Sequence, residues 1–425
     1  MDSPYLAYFA DLRTDTPIDV LPLQGLEFDD YIGKPGSLSA ALPVPNRRMA
    51  ARVREIVEGR TAVYLERGGQ VCWGGIVWTL TPAMDEQGLV TVALQAATFD
   101  SYAARRRIRR TLAFTATDDV TIVRRLWEHI QEVPGGDIGV GYAPAPPGTP
   151  RTVTYHDGEE TLVEEAVAQL AATDPGFEYL VSVHRDPATG ARAKRLLFGV
   201  PRLDLGEGTT VLDLPGDVLT YSFPRDATRG GTTARARGGA PEGAAGPVVS
   251  DEHVARALIE GGFPRLDTTS DHGNVTDKAT LNALARAELA ALGGPVVIPA
   301  VRVRLDADTT PLLLGTTVRL RIHDVWFSPG LDAAYRVVGI KVTAPERGRA
   351  ESAELFLEGL DDRGAPEEQG VGGRASSGHA GYAGHTGHAE HTGHTRHAGH
   401  AAHAGHAGHA GHAGQETDRD GQEAD

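Results

Sequence analysis

The sequence predicts an α+β, mainly β protein: two small antiparallel β-barrel-like domains, a helix-containing inserted domain, and a disordered His-rich C-terminal tail. Three observations carry this. Alternating apolar runs crowd between Leu26 and Leu94, four more follow between Val296 and Leu360, and helical periodicity is confined to short segments.

Tyr5, Leu6, Tyr8, Phe9, Ile18, Val20 and Leu23 flank a Thr14-Asp15-Thr16-Pro17 turn, the pattern of an opening hairpin. Pro35-Gly36 then leads into the run Ser37 to Pro43. Asn46 precedes a short helix in which Met49, Val53 and Val57 recur every fourth residue and Gly59 stops it, a plug for one barrel end. Val63 and Leu65 alternate up to Gly68-Gly69, and Val71 and Trp73 resume beyond, a hairpin signature. Gly74-Gly75 interrupts the next strand (Ile76, Trp78, Leu80), as a bulge or sharp corner requires. Val90, Val92 and Leu94 complete the set.

Five arginines follow between Arg105 and Arg110, either an electropositive patch for an acidic partner or a solvated, salt-bridged strand. Asp118-Asp119 caps a helix with Ile122, Leu126 and Ile130 on one face, and Glu160 to Ala172 forms a second amphipathic helix. A hairpin closes on the turn Asp186 to Gly190. Short strands occupy residues 203–223, and the segment DATRGGTTARARGGAPEGAAGP reads as a flexible excursion because it lacks large apolar residues. Asp277 caps the helix DKATLNALARAELAAL, and the strands VVIPAVRVRL, TVRLRIHDVW, YRVVGIKVT and ESAELFLEGL follow. The expected division is 1–115 with 200–225 as the first β-barrel domain, 116–199 as the inserted α+β domain, 226–248 as a flexible loop, 249–362 as the second β domain with helices, and 363–425 as the tail.

The formal net charge of −16 over 425 residues argues against a protein that grips phosphates, so no sequence-specific nucleic acid is expected. Only four of the 41 basic residues are lysines (Lys34, Lys194, Lys278, Lys341), which fits a GC-rich genome. Cys72 is the only cysteine, which rules out a disulfide within the chain and a Cys-based zinc site. The start MDSPYLAYFADLR lacks an export signal, and no run of 18 apolar residues occurs, so no membrane span and no export are expected. No HExxH, GxSxG or GxxxxGK[ST] is present. The six body histidines (His129, His156, His184, His253, His272, His323) stand singly, so no catalytic residue is assigned and no cofactor is required.

Several of these segments resemble the tail-tip or baseplate hub proteins, also called minor tail proteins, of long-tailed phages. The resemblance rests on Phe28-Asp29-Asp30, the Pro-Gly turn before LSAALP, the arginine-glycine hairpin leading into WGGIVW, and the tract LLLGTTVRLRIHDVWFSPGLDAAYRVVGIKV. It implies a structural virion protein of the tail tip, assembled in the host cytoplasm of a GC-rich, actinobacterial host. Two barrels per chain in a homotrimer would give six positions that continue the tail tube and help genome delivery. The implied partners are the distal tail protein, the tape-measure protein, tail-fibre proteins and the host cell surface. A tail-associated peptidoglycan-degrading enzyme is the alternative, although the histidine tract occupies the place where such a domain would follow. A His-rich metal-binding protein ranks third.

That tract contains ten triplets centred on His385, His388, His391, His394, His397, His400, His403, His406, His409 and His412. It has no apolar bulk to build a core. Neutral imidazoles so closely spaced suit a dynamic zinc, nickel or copper site. From Pro366 to Asp425 the formal charge is −5, and protonating the eleven histidines there takes it to +6. Two readings follow: a pH-responsive metal-binding tether, in which acidification below about pH 6.5 would release metal and reverse the charge, or a neutral low-complexity extension from repeat slippage.

Overall fold

The computed structural model describes residues 4–359 except 174, 207–208, 229, 241–244, 274, 293–295, 298 and 307–309. The histidine tract, with all ten candidate ligands, lies outside the described residues.

Alternation in the first hundred residues produces seven strands: β1 (Tyr5–Asp11), β2 (Pro17–Leu21), β3 (Gln24–Tyr31), β4 (Ser37–Val44), β5 (Thr61–Arg67), β6 (Gln70–Met84) and β7 (Val90–Thr98). They pair antiparallel in the order β3-β4-β7-β6-β5-β1-β2. Phe9, Leu38, Leu42, Val63, Leu65, Trp73 and Leu94 share one core, each contributing roughly 1.5–3 kcal/mol by leaving water. Helix α1 (Arg47–Val53) starts where the Asn46 side chain accepts the Met49 N–H. Val53 and Ile56 enter the same core, but α1 ends at Val53 and Val57 is exposed. The helix is therefore shorter than the four-residue spacing predicts and, with no closed barrel among the described residues, it packs on a sheet instead of plugging a barrel end. Gly68 and Gly69 both have positive φ and join Arg67 to Gln70 in a two-residue turn.

Gly74-Gly75 serves a different purpose from the expected bulge. The irregularities in β6 fall at Cys72 and Trp78, on either side of the glycines. The glycines permit close approach: a Cβ on Gly75 would lie 2.1 Å from Ala97 O, and one on Gly74 would lie 2.9 Å from the Tyr64 ring.

A 3₁₀ turn (Phe99–Arg105) leads into the inserted unit: β8 (Leu112–Asp118), α2 (Asp119–Gln131), β9 (Val140–Tyr142), β10 (Pro150–Tyr155), α3 (Val163–Ala171), β11 (Glu178–Arg185) and β12 (Arg192–Gly199). Asp118 caps α2 by accepting the Thr121 N–H at 2.8 Å. Ile122, Leu126 and Ile130 are buried against Val163, Val167, Tyr179, Leu196 and Phe198. The same cluster takes in Ala10, Ala62, Tyr64 and Ile76 from the outer face of β1, β5 and β6. Strand β5 is therefore covered on both faces and buried from Thr61 to Glu66.

The chain continues through β13 (Thr209–Leu214), β14 (Val218–Ser222), β15 (Arg225–Asp226), β16 (Thr233–Gly238), β17 (His253–Val254), α4 (Arg256–Glu260), β18 (Asp267–His272), α5 (Lys278–Leu292), β19 (Val296–Val297), β20 (Ala300–Arg304), β21 (Thr317–Ile322), β22 (Leu331–Thr343) and β23 (Ser352–Gly359). Two sequence groupings need correction. β13 pairs parallel with β21 and β14 antiparallel with β20, so residues 209–222 belong with the late strands, not with 1–115. Nor is 226–248 wholly a flexible loop: β16 is the centre of a three-stranded sheet under α5. In TARARG the inward residues are Ala234 and Ala236, both fully buried, and Arg235 and Arg237 point out. Alanine supplies an apolar face too small to register as a strand pattern.

The two β regions meet at a seam. Gly339 to Thr343 of β22 pair antiparallel with Tyr31 to Glu27 of β3, joining thirteen strands in one sheet. The fold is mainly β, with several sheets and no closed barrel among the described residues.

Candidate assembly surface

Ionic contacts made between units fix their mutual positions. Arg336 on β22 donates to Glu178 of β11 at 2.5 Å from both Nη1 and Nη2, to Glu358 of β23 at 2.7 and 3.1 Å, and to Leu203 O at 3.0 Å. Burial opposes its charge, but the two carboxylates overcome that cost and hold the guanidinium above its ordinary range. A second knot ties β1 and β5 to the segment before β23. Glu351 accepts from Tyr5 OH at 2.5 Å and from Arg67 at 2.8 and 3.1 Å, while Arg67 also donates to Asp306 O at 3.0 Å. Burial, followed by the hydrogen bond to Glu351, raises the Tyr5 phenol far above its usual value. Arg185 of β11 pairs with the buried Glu66 of β5. Such desolvated links are geometric locks, because breaking one strands a charge.

Against this frame the Arg105–Arg110 cluster is occupied. Arg105 lies over the Trp78 ring (5.6 Å), and Arg106 donates to Tyr102 OH at 2.9 Å. Arg107 and Arg109 face Glu160 at 3.9 and 3.3 Å, and Arg110 faces Glu132 at 3.5 Å. The salt-bridged alternative thus describes it, except that no strand runs through these residues.

Among the described residues the most exposed apolar feature lies where the sequence pattern continued a strand. TVRLRI forms β21, but HDVWFSPG is a loop. Asp324 Oδ1 accepts the N–H groups of Trp326 (2.9 Å) and Phe327 (2.8 Å), and its Oδ2 accepts Tyr221 OH at 2.5 Å. Phe327 is anchored among Tyr221 and Phe223, with centroids 5.4 and 5.3 Å away. This built turn presents Val325 and Trp326, 98% and 69% exposed. Rigid exposed aromatic anchors are characteristic of contact sites between proteins. The legible signal was Asp three residues before Phe with Ser-Pro-Gly behind, an Asx turn inside an apolar run. A second exposed pair, Met84 and Leu89, flanks the β6–β7 turn, where Asp85 accepts the Gln87 and Leu89 N–H groups.

The remaining chemistry is dispersed. Among the described residues no group of three His, Cys, Asp or Glu side chains is placed to hold a metal. Buried His129 has its basicity lowered by loss of water. Cys72 Sγ donates to Leu65 O at 3.4 Å, and burial pushes its thiol up to about 12, the state of an inert packing residue. A cavity of about 490 Å³ lies between β10, α3 and the start of α5. Both of its carboxylates are already engaged: Asp277 caps α5, accepting the Thr280 N–H at 2.7 Å, and Glu159 accepts the His156 N–H at 3.1 Å. No described helix is long and apolar enough to cross a membrane.

No family model and no curated protein matches the chain. Solved structures do. The tail protein from Neisseria meningitidis MC58 aligns with a TM-score of 0.55 at 12% identity, over 84% of this chain and 96% of that one. The 43 kDa tail protein of prophage MuSo2 from Shewanella oneidensis aligns with a TM-score of 0.56 at 11% identity, over 83% and 97%. The fold is that of these tail proteins. At such identity the likeness concerns backbone architecture, and the side chains of this surface are the chain's own.

Proposed function

We propose that the chain is a structural tail-tip (baseplate) hub subunit that joins the tail tube to the tip and helps genome delivery. The observation that carries this reading is the β3–β22 seam. It holds seven strands of one β region (β1–β7) and six of another (β13, β14, β20–β23) side by side in a single sheet. Three copies around an axis would offer six such β regions, matching a six-fold tube to a three-fold tip. The ionic knots at Arg336 and Glu351 suit this role, since a subunit that transmits load needs its β regions fixed. Val325 and Trp326 supply an anchor for a neighbouring tail protein.

The partners in this reading are two further copies, the distal tail protein, the tape-measure protein and tail-fibre proteins, brought together in the host cytoplasm. The histidine tract is a pH-responsive, metal-binding tether toward the host surface. Sedimentation of the purified chain with its distal tail and tape-measure partners tests the core of the proposal. A trimer is expected, and a chain that remains monomeric in their presence overturns it.

A further inference from the structure

Residues 32–36, between β3 and β4, form the joint where all three units meet. The Ile32 N–H donates to Val338 O of β22 at 3.1 Å, and the Gly33 N–H to Tyr179 O of β11 at 2.9 Å. The Gly36 N–H donates to Thr98 Oγ1 at 2.8 Å, and the Thr98 N–H returns to Gly36 O at 3.0 Å. Packing is tight: a Cβ on Gly36 would sit 2.1 Å from Asp29 O and 2.8 Å from Asp30 Cα.

Acidic groups gather at this joint. The Thr98 hydroxyl donates to Asp100 Oδ1. Asp100 is 4% exposed, and its Oδ2 has no hydrogen-bond partner. Partly exposed Asp30 accepts the Tyr31 N–H at 2.9 Å. From the inserted unit, Glu164 in the first turn of α3 and the buried phenol of Tyr179 act on Asp100 or are acted on by it. The neighbouring charges are committed elsewhere. Asp29 accepts from the Ser37 N–H and hydroxyl at 2.6 and 2.9 Å, and Lys34 Nζ lies 3.9 Å over the Tyr31 ring. Lys194 of β12 donates to Leu12 O and Ile138 O at 2.9 and 2.7 Å. Glu165 is exposed, and Glu178 is bound by Arg336.

We propose that this joint is a proton-operated latch: Asp100 holds a proton while the three units are docked, and its buried charge opposes docking once that proton leaves. Loss of water pushes Asp100 up to about 6. Loss of water, then Asp100, pushes Asp30 well above the carboxylate range, and burial, then Glu165, raises Glu164. A carboxyl raised in the folded state binds its proton more tightly there than in the unfolded chain. The latch therefore tightens as pH falls through about 6 toward the ordinary carboxyl value near 4, and loosens as pH rises above it.

Hydrogen exchange of the full chain at about pH 8 and about pH 5.5, corrected for intrinsic rates, tests this. Protection of the peptide spanning residues 28–36 is expected to rise about three- to fourfold on acidification, the change for one proton over the half unit between about 6 and about pH 5.5. Asp100→Asn should remove most of that rise and leave peptides of β20 and β23 unchanged. Protection that is flat with pH, or that rises equally in the variant, overturns the proposal. Should the variant fail to fold, the carboxylic-acid stretch of aspartate in the infrared spectrum of the wild-type protein decides: a protonated band at about pH 5.5 that is lost by about pH 8 supports the latch, and its absence overturns it.

Discussion

Replacing Arg336 by methionine keeps the apolar stem and removes the charge, which isolates the ionic knot between β22, β11 and β23. In the native chain the guanidinium makes five hydrogen bonds to Glu178, Glu358 and Leu203 O. The side chains of Arg336, Glu358 and Glu178 are 5%, 14% and 23% exposed. Without Arg336 the two poorly hydrated carboxylates lose their shared countercharge, and Glu358 retains Arg202 at 3.2 Å. Stranding buried partners in this way costs about 3–5 kcal/mol. The lower end applies, because Glu178 keeps enough exposure to recover some hydration. About 3 kcal/mol is roughly a hundredfold in the opening equilibrium. Arg319–Asp332 provides the internal control: both side chains are about half exposed (48% and 50%), so Arg319→Met should cost about 0–1 kcal/mol. Because several units share the chain, hydrogen exchange of β22 and β11 is the sharper readout, with urea unfolding beside it. If Arg336→Met loses no more protection than Arg319→Met, the knot does not fix the units and the reasoning fails.

Three further outcomes follow. Trp326→Ala removes an exposed side chain and should change the stability of the isolated chain by within about 0.5 kcal/mol. In the assembly proposed above it should nonetheless weaken association by about 2 kcal/mol or more, read by sedimentation. Gly75→Ala places a methyl against Ala97 O and should destabilise by about 1–3 kcal/mol or prevent folding, whereas Gly88→Ala, at a turn with open space but positive φ, should cost only about 1 kcal/mol; thermal unfolding compares them. Calorimetric titration of zinc into the full chain and into a version ending at Arg363 should show binding by the full chain alone, and equal binding by both removes the metal role of the histidine tract.

Elements governed by near neighbours could be read from the sequence. The Gly68-Gly69 turn, the caps at Asn46, Asp118 and Asp277, and the alternation of β20 to β23 all depend on residues a few positions apart, where backbone sterics and local hydrogen bonds decide. The Val325–Trp326 turn was missed because one Asp side chain outweighs an apolar run, and β16 because alanine carries so little hydrophobic signal. The assignment of residues 209–222 to the late strands was not legible either. A parallel partner such as β21 lies a hundred residues away, and alternation specifies a buried face without naming the strand that adjoins it. By itself the sequence determined that the protein is mainly β, where the glycine turn at Gly68-Gly69 and the helix caps fall, and that a histidine tract follows. Only the tertiary structure decided that β22 pairs with β3, that Arg336 meets Glu178 and that Asp30 comes close to Asp100. Those contacts are set by which surfaces exclude water together, and such complementarity exists only once the strands have packed.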